Sequence, residues 1–198
     1  MPMVVTVDGE QITLEAALNK TAPQNLVLRL YSNNVTPANA DVVGGYTEVS
    51  GNGYASLTLT GASWTYTAPR AGADGVTAGT TTFVSATASF VSGDVGRLIY
   101  IASTQPVWAV IVSVTNGTTV VLDTAIATQV TLAWRIASLT SYAQQTFAFT
   151  GAGGNVYGYY LTQVTSGKLF AAERFTGAPY VINNNGDEIR VTPKLSLD

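Results

Sequence analysis

The sequence predicts an all-β protein: an antiparallel β-sandwich, jelly-roll-like, with one short N-terminal helix and an inserted small β module. Three observations carry this. Apolar and polar residues alternate in short runs, as in Leu26 to Tyr31, where Leu26, Leu28 and Leu30 share a face. Gly and Asn clusters punctuate the runs at Gly44-Gly45, Gly51-Asn52-Gly53, Asn116-Gly117, 151–155 and 183–186. Only one stretch has helical spacing, so the strand–helix rhythm of a parallel sheet is absent.

That helix is expected over Gln11 to Asn19, with Leu14, Ala17 and Leu18 on one face. Thr21-Ala22-Pro23 closes it, because proline disfavours helix at the residue before it. Leu26 to Tyr31 is the first strand, and SNNVTPAN turns the chain. Ala55, Leu57 and Leu59 then alternate with Tyr54, Ser56 and Thr58 in a second. Composition shifts at Ala68. APRAGADGVTAGTTT reads as a Gly/Ala/Thr-rich linker into a module that runs to Ser138, with a hairpin at Asn116-Gly117. Beyond it Phe147 and Phe149 share a face, as do Tyr157, Tyr159 and Leu161. Ile189 and Val191, with Leu195 and Leu197 beyond Pro193, form the last face, and Pro193 marks an edge or bulge. The expected domains are therefore 1–67 with 139–198, a discontinuous sandwich of roughly six to eight strands, and 68–138, inserted where chain termini lie close together.

Composition narrows the chemistry. Of 198 residues, 46% are hydrophobic and 11% charged, against about 25% charged in an average domain. Thr, Ser, Asn, Gly and Tyr must then supply the surface. There is no Cys, which excludes thiol nucleophiles, disulfides and Cys-ligated metals. There is no His, which excludes a Ser-His-Asp triad, His-ligated zinc and an imidazole base. A net charge of −3 gives no basic footprint for nucleic acid. The start, MPMVVTVDGEQ, lacks the basic and apolar regions of a signal peptide, and the apolar run Val107 to Val112 is too short to span a bilayer. No Gly-rich phosphate loop followed by Lys-Ser/Thr occurs.

Several segments, taken together, carry a resemblance: LRLYSNN (28–34), YTEVSGNGYA (46–55), LTGASW (59–64), YAQQTFAFTG (142–151), VYGYYL (156–161), FAAERF (170–175) and NNGDEIRVTPKLSL (184–197). The set resembles a family of small virion structural proteins of tailed bacteriophages. FVSATASFVSGDVGRLIYI (83–101), with the hairpin and Trp134-Arg135-Ile136 after it, resembles a small β module of phage tail and fibre proteins. The resemblance implies a non-enzymatic part of the phage particle, made in the host cytoplasm and placed on the particle surface. A capsid decoration or cement protein that clamps major capsid subunits is the first expectation. A tail-fibre, tail-tip or adaptor component contacting the host is the second, and a depolymerising enzyme the last. The expected partners are the major capsid protein or other virion proteins, and two further copies in a homotrimer, with neither nucleic acid nor membrane.

No residue is expected to be catalytic, cofactor-binding or metal-binding, although several carry the right chemistry. Glu173, Asp187 and Glu188 are carboxylates of the kind that hydrolyse glycosides. The plainer reading pairs Glu173 with Arg174 or Arg190 and makes Asp187 the cap of the 183–186 turn. Asn183 to Glu188 offers oxygen ligands for calcium without EF-hand spacing, and Asp94 reads as a turn residue. Tyr157, Tyr159, Tyr160, Tyr142 and Tyr180 suit core packing, a subunit interface or ligand binding. For the interface, Val156–Leu161 or Ile189–Leu197 is the expected strand. The sequons at Asn34 and Asn116 read as turns.

Overall fold

A computed structural model describes residues 3–197. The chain is mostly strand, with one α-helix, and is all-β in class. It divides into two compact units: Met1–Trp64 with Tyr142–Pro193, and Thr65–Ser141 with Lys194–Asp198.

In chain order the first unit opens with β1 (Val4–Val5), α1 (Val7–Ala17), β2 (Leu26–Tyr31) and β3 (Leu57–Leu59). The second follows with β4 (Thr65–Thr67), β5 (Arg70–Thr77), β6 (Thr82–Val84), β7 (Leu98–Ile101), β8 (Val107–Asn116), β9 (Thr119–Leu122), β10 (Gln129–Ile136) and β11 (Ser138–Ser141). The first unit resumes with β12 (Gln145–Thr150), β13 (Gly154–Val156), β14 (Gly158–Gln163), β15 (Leu169–Arg174), β16 (Tyr180–Ile182) and β17 (Asn185–Val191). The last strand, β18 (Lys194–Leu197), returns to the second unit.

The helix starts four residues earlier than its expected start at Gln11. Thr6 is the reason: its hydroxyl accepts from the Gly9 amide at 3.1 Å and donates to the Leu169 carbonyl at 2.6 Å. It is a buried N-cap tied to β15, and Asp8 and Glu10 follow in the first turn, where the helix dipole favours acids. Asn19, at φ 54°, ends the turn beyond Leu18. The expected apolar face is also wrong. Leu14 and Leu18 are exposed, and the buried positions are Gly9 and Ile12. A Cβ on Gly9 would sit 2.0 Å from the Phe170 carbonyl oxygen, so the helix approaches β15 by its bare backbone.

In the first unit β1-β15-β14-β2-β3 form one antiparallel sheet, and β12–β17 and β13–β16 form two ribbons. The pairings nest: β14 with β15, β13 with β16, β12 with β17. One core draws Leu28, Leu30, Leu59, Tyr159 and Leu161 from the sheet, Phe147, Phe149, Ile189 and Val191 from one ribbon, and Val156 and Ile182 from the other. Behind the sheet Tyr31, Tyr46, Tyr160, Leu169 and Ala172 make a second cluster. Every residue of β14 is buried. Tyr157 therefore does not share a face with Tyr159 and Leu161. It falls between β13 and β14 and packs with the Tyr31–Tyr160 cluster instead.

In the second unit β10-β5-β6-β9-β8-β7 close into an antiparallel barrel, with β4, β11 and β18 in a separate three-stranded sheet. The barrel holds Phe83, Phe90, Ile99, Ile101, Ile111, Val120, Leu132, Trp134 and Ile136. The expected linker is not a linker: Arg70–Thr77 is a barrel strand. Its glycines read as linker, but they make room for aromatic rings. A Cβ on Gly72 would lie 2.7 Å from the Trp134 indole nitrogen, and one on Gly75 would lie 2.8 Å from the Phe83 ring. Pro193 interrupts the last face, so β17 pairs with β12 whereas β18 pairs with β11. Leu195 thus does not continue the Ile189–Val191 face, and 194–198 groups with the second unit rather than the first.

Candidate functional site

The first unit carries a groove of about 510 Å³. Tyr180–Asn184 line it from β16 and its turn, Asp187–Arg190 from β17, and Phe175 completes it. Asp187 accepts from the amides of Asn183 at 2.8 Å and Asn184 at 2.9 Å. It is the turn cap, and those amides hold its carboxyl below the usual carboxylate range. Glu188 takes two hydrogen bonds from Arg190, from Nε at 3.0 Å and Nη2 at 2.7 Å. Glu173 does not line this groove: it accepts from the hydroxyl of Tyr159, whose pKa is driven well up by burial and then by the Glu173 charge. Glu173, weighed with Asp187 and Glu188 as catalytic carboxylates, thus accepts from a ring inside the first unit's core. Among the described residues no group of three or more acidic side chains is placed to hold a metal ion.

The aromatic residues separate by role. Tyr31 meets Tyr46 edge-on and Tyr46 stacks on Tyr160, with centroids 5.1 and 5.2 Å apart. Burial pushes Tyr31 and Tyr160 up to about 12. Tyr142 packs edge-on against Trp64 at 5.3 Å and accepts from the Thr60 amide at 3.2 Å. Tyr180 is half exposed beside Phe175, 5.4 Å away. Asn116 ends β8 at the hairpin turn and accepts from the amide and hydroxyl of Thr118, both at 2.9 Å.

The strongest polar constellation lies in the barrel unit, and the sequence reading missed it. Arg97 and Asp94 are each 1% exposed and paired at 2.9 Å. Arg97 Nη2 also donates to the carbonyls of Ala68 at 3.0 Å and Ala137 at 2.6 Å, just before β5 and just after β10. The second oxygen of Asp94 accepts from Arg70 and from the Val91 amide. The buried Nε atoms of Arg70 and Arg97 have no partner among the described residues. The DVGR spacing, three residues from acid to arginine, was the available signal. Asp74, hidden in the supposed linker, accepts from Ser85 at 2.6 Å, Trp134 at 3.1 Å and Thr87 at 2.9 and 3.0 Å. The Ser85 hydroxyl first, then the indole, holds its carboxyl well below the usual range. Both constellations tie strands together.

Compared with protein-family models, with curated proteins and with solved structures, the chain matches none.

Proposed function

We propose that this protein is a non-enzymatic structural component of a tailed-phage particle, a decoration or cement protein that stabilises the shell by binding major capsid subunits as a homotrimer. The observation that carries the reading is the use made of its few acids. Asp94, Asp74, Glu173, Glu188 and Asp187 each accept bonds that brace strands or turns. A surface built instead from Thr, Ser, Asn and exposed Val side chains such as Val112 and Val130 suits close packing among neighbours. The segments that resemble phage virion proteins support the same reading.

The first unit is read as a jelly-roll sandwich, because the nested pairing of β12–β17, β13–β16 and β14–β15 is that of one long hairpin folded across two layers. The barrel is read as an insertion into it. Trp64 and Tyr142, on either side of the inserted stretch, touch ring to ring. The trimer contact cannot use β14, whose residues are all buried within the chain. It is assigned to β18, an outer strand of its sheet.

Quantitative mass spectrometry of purified particles tests the reading. Hundreds of copies per virion are expected. A handful would move the protein to the tail, and none would end the proposal. Light scattering should give a trimer at micromolar concentration that withstands moderate salt.

A further inference from the structure

β16 leads into β17 through Asn183 and Asn184, yet β16 pairs with β13 and β17 with β12. The two arms diverge from their turn, and the 510 Å³ groove opens along them. That volume lies within the roughly 300–1,000 Å³ of ligand sites. Its lining combines an apolar plate with unengaged polar atoms. Tyr180 is 49% exposed, and its hydroxyl donates to the Thr176 carbonyl at 3.1 Å, which fixes the ring beside Phe175. Asp187 is held by two backbone amides on one oxygen, leaving Oδ1 without a partner among the described residues. The side-chain amides of Asn183 and Asn184 are exposed and make no hydrogen bond among the described residues. Arg190 gives Nε and Nη2 to Glu188, and its Nη1 has no hydrogen-bond partner among the described residues.

We propose that this groove binds a neutral oligosaccharide without hydrolysing it. A pyranose ring has one face of C–H groups, which stacks on an aromatic plate, and a rim of hydroxyls that each donate and accept. Tyr180 supplies the plate. Asp187 Oδ1 accepts, Arg190 Nη1 donates, and the two asparagine amides do both. Asp187 stays ionised and is pre-oriented, which lowers the ordering cost on binding. Charge selects against the competing classes. Asp187 and Glu188 repel phosphates, and Arg190 is already neutralised by Glu188, so nucleotides and acidic sugars lack a counter-ion. Hydrolysis would need a second, proton-bearing carboxyl across the ligand, and Glu188 instead accepts two hydrogen bonds from Arg190.

The inference does not rest on the particle reading, because binding is measured on the purified full chain. The probe is a microarray of bacterial surface oligosaccharides, followed by calorimetric titration with the brightest neutral tetrasaccharide. Tyr180→Ala and Asn184→Ala should each weaken binding by about tenfold, the loss of one good contact. Tyr180→Phe should bind within about twofold of the parent protein, because the hydroxyl faces Thr176. Circular dichroism confirms that the variants fold, and the asparagine substitution lies in an exposed turn. No neutral glycan above background, or binding unchanged in both Tyr180→Ala and Asn184→Ala, overturns the proposal. Release of shorter sugars from the bound tetrasaccharide overturns its non-hydrolytic part.

Discussion

Replacing Arg97 by methionine keeps the bulk of a buried side chain and removes three hydrogen bonds. The guanidinium contacts Asp94 at 2.9 Å and the carbonyls of Ala68 and Ala137 at 3.0 and 2.6 Å. Breaking one partner of a buried pair costs about 3–5 kcal/mol when the other charge is stranded. Here Asp94 keeps Arg70 and the Val91 amide, which favours the lower end. The two carbonyls lose a donor, at about 1–3 kcal/mol for each that water cannot reach. With Ala137 buried and Ala68 exposed, a net loss of about 4–6 kcal/mol follows for the barrel unit. At roughly 4–8 °C per kcal/mol for a domain of this size, its melting temperature falls by more than ~16 °C. Differential scanning calorimetry on Arg97→Met, Asp94→Asn and the double variant reads this directly. The double variant should be less destabilised than the sum of the singles, because the pair couples. A loss below about 1 kcal/mol in Arg97→Met, or strict additivity, would refute the clamp.

Gly9→Ala gains helix propensity of about 1 kcal/mol, but its Cβ would meet the Phe170 carbonyl oxygen at 2.0 Å. Overpacking of that kind costs about 1–3 kcal/mol, so urea melts should show net destabilisation; a more stable variant would refute the contact. Asp74→Asn should lower the melting point of the barrel, and acid should do the same. A depressed carboxyl contributes stability above its unfolded pKa that is lost as pH falls below it. The tyrosines act at the other extreme. Tyr31 and Tyr160, raised from 10.0 to about 12, remain protonated in the fold while the unfolded chain ionises. Stability should be intact below pH 10 and fall between about pH 10 and 12. Tyr160→Phe should shallow that slope in denaturant midpoints taken across the window. Replacing 65–141 with a short Gly-rich bridge should leave the first unit folded, since Trp64 and Tyr142 already touch; loss of its circular dichroism signal would remove the insertion reading.

The strands were legible where one face is wet. Phe147 and Phe149, or Ile189 and Val191, alternate with exposed neighbours and were placed on one face correctly. β14 defeated the same reading because both its faces are buried, so alternation carried no information about which side met which core. The helix start was marked by Thr6, three residues ahead of the Gly9 amide it caps, but a glycine inside a helix argues locally against one. Only the carbonyl of Phe170, more than 160 residues away in sequence, explains why that glycine is there. β5 failed for a related reason. Gly72 and Gly75 have linker composition, and their role appears only when Trp134 and Phe83 close over them.

The same asymmetry governs the groove. Turn chemistry is local, so Asp187 as the cap of the Asn183–Gly186 turn could be read from order alone, and the structure puts its carboxylate on those amides. The groove itself depends on two pairings, β13 with β16 and β12 with β17, that split adjacent strands into different ribbons. No periodicity in residues 180–191 encodes that split. It arises because Val156 and Ile182 on one ribbon and Phe147, Phe149, Ile189 and Val191 on the other all turn toward a single core. The apolar side chains are drawn together on the inner face while the turn residues between them stay in water. That leaves Tyr180, Asn183, Asn184 and Asp187 along an open groove, where the two asparagine side-chain amides and Asp187 Oδ1 have no hydrogen-bond partner among the described residues. A turn that only had to reverse the chain would need neither two side-chain amides without partners among the described residues nor a half-exposed ring anchored by its hydroxyl, and this surplus distinguishes the groove from the bracing carboxylates of the barrel.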